Sequence, residues 1–173
     1  MIRLIELDES WKEAFLEYQK AWGNADFVPY AAALRDSTFE EWLENSKLMH
    51  DKEFAYSKRL VPDHTFFLVD DESKTILGAI NLRHQLNQYL YQYGGHIGYG
   101  IHPMYRGKGY GKMMLELALP LFRKISDEGD CILITCNKEN IASAKVILSC
   151  GGVLENEVYN ADSDEWICRY VIR

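Results

Sequence analysis

The hexapeptide Arg106-Gly107-Lys108-Gly109-Tyr110-Gly111 alternates glycines with larger residues, and Lys112 follows it. Residues of these types at this spacing can bind an anion, above all a chain of phosphates. Glycines at the start of a helix expose backbone N–H groups that have no partner inside the helix. Those donors and the positive end of the helix dipole attract phosphate oxygens. Arg106, Lys108 and Lys112 add positive charge in the same place. A P-loop needs Gly-x-x-x-x-Gly-Lys-Ser/Thr, and no such run occurs. A dinucleotide fingerprint needs Gly-x-Gly-x-x-Gly straight after a first strand. Here Gly107, Gly109 and Gly111 alternate instead and sit deep in the chain. The plain alternative is a tight glycine turn packing a strand on a helix, with its basic residues in solvent.

The flanking elements must hold this loop. Before it, the run from Gly94 alternates as a strand, with Ile97, Tyr99 and Ile101 on one face and His96, Gly98, Gly100 and His102 on the other. The two glycines leave their face bare, which suits an extended ligand lying close to the backbone. Pro103 ends the strand because it has no N–H for a ladder. From Lys112 the chain reads as an amphipathic helix, with Met113, Leu117 and Leu121 at i, i+4 and i+8 and with Met114 and Ala118 alongside. Pro120 should kink that helix or weaken its last turns.

Elsewhere the signals are ordinary. Residues 2–7 read as a first strand, and Asp8 or Ser10 can cap the helix after it. Trp11, Phe15, Tyr18 and Trp22 recur there at helical spacing, a stripe that reads as core first and as a substrate wall second. Asn24 to Tyr30 is a loop, and Thr38-Phe39-Glu40-Glu41 matches a capping box that opens a second helix. Residues 47–61 carry no clear period. HTFFLVDD and ILGAINLRH read as a hairpin around ESKT, with Gly78 marking a close approach or a bulge. Residues 84–95, polar and rich in tyrosine, read equally as a lid or acceptor wall and as a solvated connection. Asp130 to Cys136 is a buried strand, and Asn137 to Asn140 a turn. IASAKVILSC is a helix with Gly151 as its C-cap. A hairpin turning at Asn160 to Asp164 ends the chain. The order fits one α+β or α/β domain over residues 1–173 around one central sheet.

A chain of 173 residues with 47% apolar residues can bury one core. It has no apolar run of the roughly 18 residues that a membrane helix needs, and its N-terminus lacks a signal-peptide core. A cytoplasmic protein with no membrane partner is expected. The cysteines, Cys131, Cys136, Cys150 and Cys168, match no zinc spacing and read as reduced core thiols, so no metal is expected. The net charge of −7 argues against nucleic acid as a partner and is compatible with a cationic small molecule.

Arg106-x-x-Gly109-x-Gly111, set between this strand and this helix, resembles the pyrophosphate-binding signature of the GNAT (GCN5-related N-acetyltransferase) superfamily. The element order resembles that fold over nearly the whole chain. The strings LRHQLNQYL, GGHIGYGIHP and TCNKENIASAKVI are similar to a bacterial subgroup of predicted acetyltransferases with no agreed substrate. The resemblance implies a three-layer arrangement, a mixed and mostly antiparallel sheet of about seven strands flanked by about four helices and splayed at strands 4 and 5. It implies acetyl-CoA as co-substrate, with the pantetheine arm pairing along the fourth strand like an added strand. Carried onto this sequence, the backbone partners are Tyr99, Gly100, Ile101 and His102, with Ile101 foremost. The pyrophosphate cradle is Arg106, Gly107, Lys108, Gly109, Tyr110, Gly111 and Lys112. Asn140 would touch the arm by its side chain, with Asn137 and Ser143 as weaker contacts. The family often has a tyrosine in the last helix as acid toward the departing thiolate, and Ile147 stands there instead. Gly152 stands where an aromatic is usual. A homodimer is the family habit.

The implied activity is an N-acetyltransferase, with a primary amine of a small molecule or peptide attacking the thioester directly in a ternary complex. The other class is an acyl-CoA-binding sensor that has lost turnover. A backbone N–H near Ile101 would polarise the carbonyl. A thiol of pKa roughly 8.5 leaves without an acid, whereas an amine of pKa ~10 must first lose a proton. His96, at the start of the strand, is the first candidate base, against the bland reading of a core-edge histidine. Tyr159 is the second, with His84 and Tyr99 as further options.

Overall fold

The computed structural model describes residues 1–173. β1 (Ile2–Ile5) leads through a short turn, capped where Asp8 accepts the Ser10 N–H at 2.8 Å, into α1 (Lys12–Ala21). α2 (Phe39–Leu48) begins at the expected capping box, with Glu41 N–H donating to Thr38 Oγ1 at 3.2 Å and Thr38 N–H to Glu41 Oε2 at 2.8 Å. The stretch without a period holds a short helix, α3 (Lys52–Ser57), capped by Asp51. β2 (Asp63–Asp70) and β3 (Thr75–Arg83) form the hairpin, and their register shifts between Leu68 and Val69, where Leu77 beside Gly78 is the extra residue of β3. β4 (Ile97–Ile101), α4 (Tyr110–Ile125), β5 (Ile132–Asn137), α5 (Ile141–Ser149), β6 (Val153–Asn160) and β7 (Glu165–Ile172) complete the chain.

The seven strands make one sheet in the order β1-β2-β3-β4-β5-β7-β6. Every neighbour pair is antiparallel except β4 and β5. α4 and α5 cover one face, packing Met114, Leu115, Ala118, Phe122 and Ile147 on Ile80, Leu82, Ile97 and Ile134. α1 and α2 cover the other with Trp11, Phe15, Tyr18, Trp22, Phe39 and Trp42, so the aromatic stripe is core. No helix is long and apolar enough to cross a membrane.

Two helix expectations need correction. α4 runs on through Pro120 to Ile125. Pro120 lies on the exposed side, where water can satisfy the carbonyl it leaves without a donor. The buried face of α4 is also turned by one residue, to Met114, Leu115, Ala118, Leu119 and Phe122, while Met113 and Leu117 are exposed at 39% and 41%. The i, i+4, i+8 row is too narrow to fix a helix's rotation when a broader apolar stripe runs beside it.

Candidate active site

β4 and β5 touch only at their beginnings. Ile97 pairs with Ile134, and His96 N–H donates to Leu133 C=O at 2.7 Å. Beyond that point the ladder stops and the strands diverge. On its other side β4 is fully paired with β3, from Leu82 opposite Ile97 to Gly78 opposite Ile101. From the carbonyl of His96 onward the even residues face β3: Arg83 N–H reaches His96 C=O at 2.9 Å, and His102 N–H reaches Leu77 C=O at 2.9 Å. By the two-residue alternation, the backbone groups of Tyr99 and Ile101 point toward the splay. Those of Gly100 and His102 point away from it.

The glycine-rich loop lies beyond the open end of β4. Gly107 and Gly109 have φ of +74° and +84°, a region that L side chains resist. Gly109 is the residue that starts α4, and the first helical bond runs from Met113 N–H to its C=O at 3.2 Å. The N–H groups of Tyr110, Gly111 and Lys112 therefore precede the helical ladder and are free for an anion. At Gly111 a Cβ would lie 3.2 Å from Val146 of α5, a tight contact that α5 would have to yield to. The cations are held loosely: Arg106 lies over the Trp22 ring at 5.2 Å and donates to Ile101 C=O, Lys108 lies over Tyr105 at 5.0 Å, and Lys112 reaches Glu116 at 3.6 Å.

α5 closes the other side of the splay. Asn140 caps it, its Oδ1 accepting the Ser143 N–H at 3.1 Å. Asn137 is taken up in shaping the turn, accepting from Glu139 N–H at 2.9 Å and donating to Glu165 at 2.6 Å. The Tyr99 hydroxyl crosses from β4 to meet Ser143 Oγ at 2.8 Å, and burial pushes its pKa up to about 12. Ile147 is fully buried in the core. A tyrosine hydroxyl thus stands between β4 and α5 although the helix carries none at that position. His102 is buried, its ring near Tyr18 and Tyr105 and its Nδ1 accepting the Met104 N–H at 3.2 Å.

The glycine face of β4 is not bare. A Cβ at Gly100 would lie 2.2 Å from Val28 C=O and 3.0 Å from Trp22, and one at Gly98 would lie 3.0 Å from Arg83 Nη2. The chain's own 22–29 segment and Arg83 take the place of the extended ligand expected there. His96 also departs from that face. Its ring packs on Phe122 of α4 at 5.0 Å and is 3% exposed. Nδ1 accepts Leu133 N–H at 2.9 Å, so the proton sits on Nε2, 2.8 Å from Glu128. Burial lowers the His96 pKa, opposed by the Glu128 hydrogen bond. Both ring nitrogens are engaged at the closed end of the splay, away from the glycine-rich loop. Tyr159 lies at the β6–β7 turn, half exposed, donating to Asp164 and packing on Trp166.

On the α1–α2 face a cavity of about 490 Å³ is lined by Tyr30, Arg35, Arg59, Asp63, Asn81, Arg83 and Tyr89, among others. Burial pushes the Asp63 pKa up to about 6, against the pull of Asn81 and Arg83. Arg83 donates to the carbonyls of Gly94 and Gly95, each at 2.9 Å, and so joins this cavity to the start of β4. Residues 84–95 form a pinned wall. Thr135 donates to Tyr93 C=O at 2.7 Å and Arg169 to Tyr91 C=O at 3.0 Å, while Asn87, Tyr89 and Leu90 face the cavity. Sequence reasoning did not find Asp63, Asn81 or Arg83 as site residues. The signal was a polar residue at alternate positions in otherwise apolar strands, Asn81 and Arg83 on one side of β3.

An acetyltransferase (GNAT) domain family model matches residues 4–153. Among curated protein sequences none matches significantly. The ribosomal-protein-S5-alanine acetyltransferase of Vibrio fischeri superposes with a TM-score of 0.69 at 17% identity, over 99% of this chain and 92% of that one. Mutant forms of the spermidine/spermine N-acetyltransferase of Vibrio cholerae superpose with a TM-score of 0.63 at 19% identity, over 99% and 94% of the two chains.

Proposed function

Because the chain belongs to the GNAT acetyltransferase family, we propose that it moves the acetyl group of acetyl-CoA onto a primary amine by direct attack in a ternary complex. The observation that supports this most is the splay: Tyr99 and Ile101 turn their backbone groups into the gap, and the exposed N–H groups of α4 lie beyond its open end. Residues 106–112 would hold the pyrophosphate of acetyl-CoA, the backbone of Tyr99 and Ile101 its pantetheine arm, and Asn140 its flank. Bound there, the co-substrate supplies an activated acetyl thioester. The Tyr99 hydroxyl, kept protonated by its burial, is the proton donor toward the sulfur in place of the missing helix tyrosine.

The acceptor enters from the cavity on the other face. Asp63, with a pKa near 6, is suited to take the proton of an ammonium group near neutral pH, directly or through water. This reading moves the base role away from His96, whose nitrogens are engaged, and from Tyr159, which faces solvent. The lining sets three guanidiniums, of Arg35, Arg59 and Arg83, against the single carboxylate of Asp63. That balance suits an amine carrying an anionic group, such as a peptide N-terminus beside an acidic residue, better than a polycation. Of the acceptors that the two solved relatives are named for, spermidine/spermine is a polycation and a ribosomal-protein alanine is not.

The test is calorimetric titration with acetyl-CoA, then free-thiol release across acidic peptides, neutral amino acids and polyamines. Binding with thiol release on acidic amines supports both the activity and the acceptor class. Release on polyamines alone refutes the acceptor class. Binding without release on any amine favours the sensor reading, and no binding overturns the cradle.

A further inference from the structure

A second group of chemistry-bearing side chains lies outside the splay and the acceptor cavity. Glu6 follows β1, His50 sits in the turn between α2 and α3, and His64 is the second residue of β2. Far apart in sequence, they meet at one corner of the sheet. Each offers one ligand atom, and all of these atoms lie within 4.8 Å of one another. Glu6 Oε1 is 2.8 Å from His50 Nε2. His50 Nε2 is nonetheless buried and makes no hydrogen bond. The His50 and His64 rings stack at 3.7 Å and 9°, so their lone pairs run side by side, and one ring must turn about its side-chain bonds for both nitrogens to reach one ion.

Behind His64 stands His84. Its Nε2 lies 2.7 Å from His64 Nδ1. A metal-bound histidine almost always hydrogen-bonds through its other ring nitrogen, which fixes the tautomer and the ring's direction. Here that bond occupies Nδ1 and leaves Nε2 of His64 as the ligating atom. Two imidazoles and a carboxylate form the donor set that zinc takes with a fourth position open to water. Calcium and magnesium prefer all-oxygen sets, so they fit poorly. The Glu6 side chain is 43% exposed and that of His50 31%, which leaves an ion a way in.

We infer that Glu6, His50 and His64 form a zinc site, with His84 as the residue that positions His64. Zinc there would tie together the end of β1, the α2–α3 turn and the start of β2. Met49 and Asp63, the sequence neighbours of His50 and His64, line the 490 Å³ cavity. The site would therefore brace that cavity's wall, although its existence does not depend on what the cavity binds.

The test uses the full chain, stripped with a chelator and titrated calorimetrically with Zn²⁺ and separately with Mg²⁺. A Co²⁺ titration follows the visible absorption of bound cobalt. The expected result is one Zn²⁺ per chain, a Tm that rises on binding, and no Mg²⁺ uptake. Glu6→Gln and His50→Gln alter partly exposed side chains and should each weaken Zn²⁺ binding by roughly a hundredfold or more, while His84→Gln weakens it by about ten- to a hundredfold. Glu53→Gln, outside the cluster, should change nothing. If the Glu6→Gln/His50→Gln double variant is folded by thermal melting and binds Zn²⁺ as the wild type does, the inference is overturned. Equal uptake of Mg²⁺, or no Zn²⁺ uptake by the wild type, overturns it too. Acetyl-CoA binding is not a readout here, so failure of this site and failure of the proposed function are separable.

Discussion

Replacing Gly109 by valine tests the backbone conformation on which the anion cradle rests. Gly109 has φ +84°, and a Cβ there would meet nothing within 4 Å. The added Cβ meets no other residue of the protein, so the cost to the fold is backbone strain. For an ordinary L residue the left-handed region costs roughly 1–2 kcal/mol, while asparagine tolerates it better. The strain must emerge in one of two places. If the free protein keeps the loop as it is, Tm falls by about 2–4 °C per kcal/mol for a chain of this size. If the free loop relaxes, binding must restore it, and Kd for acetyl-CoA rises about 5- to 30-fold, since ~1.4 kcal/mol is a factor of ten. Gly109→Val should show one effect or a mixture that sums to this strain. Gly109→Asn should show clearly less of either. Thermal melts and calorimetric titration with acetyl-CoA measure the two together. If Gly109→Val changes neither Tm nor Kd, or Gly109→Asn is as damaged as Gly109→Val, the cradle does not depend on this conformation and the reasoning is wrong.

Tyr99→Phe should lower kcat about tenfold and leave acetyl-CoA affinity nearly unchanged. The loss stays below the hundredfold or more of a full general acid, because a thiol of pKa roughly 8.5 leaves readily; an unchanged kcat rules out the donor role. Asp63 titrates near 6 when folded and near 3.8 when unfolded, so its contribution to stability is complete below 3.8 and declines as pH rises toward about 6. Asp63→Asn should therefore raise Tm at neutral pH, by at most about 3 kcal/mol in stability, and have little effect below pH 3.8. The same change should remove the rise of kcat/KM with pH through about 6, and a profile that keeps that rise shows that another group is the base. His96→Gln breaks the bond from Leu133 N–H and a packed ring, and should destabilise the fold by about 2–4 kcal/mol with kcat largely kept. Loss of kcat at unchanged Tm would return the base role to His96.

What the sequence determined by itself was local. The capping box at Thr38, the glycine start of α4, the β2–β3 and β6–β7 hairpins and the Asn140 cap are set by residues within a few positions of one another, so they can be read along the chain. The family motif also carried the order of the sheet, because the loop fixes which strand precedes it and which helix follows. Only the tertiary structure decided the rest. Whether the glycine face of β4 is bare depends on where the 22–29 segment folds back, and Val28 lies on it. Whether His96 is a base depends on Leu133, Phe122 and Glu128, which arrive from β5, α4 and the turn between them. Asp63 is a candidate only because α2, β3 and the 84–95 wall enclose it in a cavity and burial raises its pKa. Titration and access are properties of the surroundings of a side chain, and those surroundings come from residues far away in sequence.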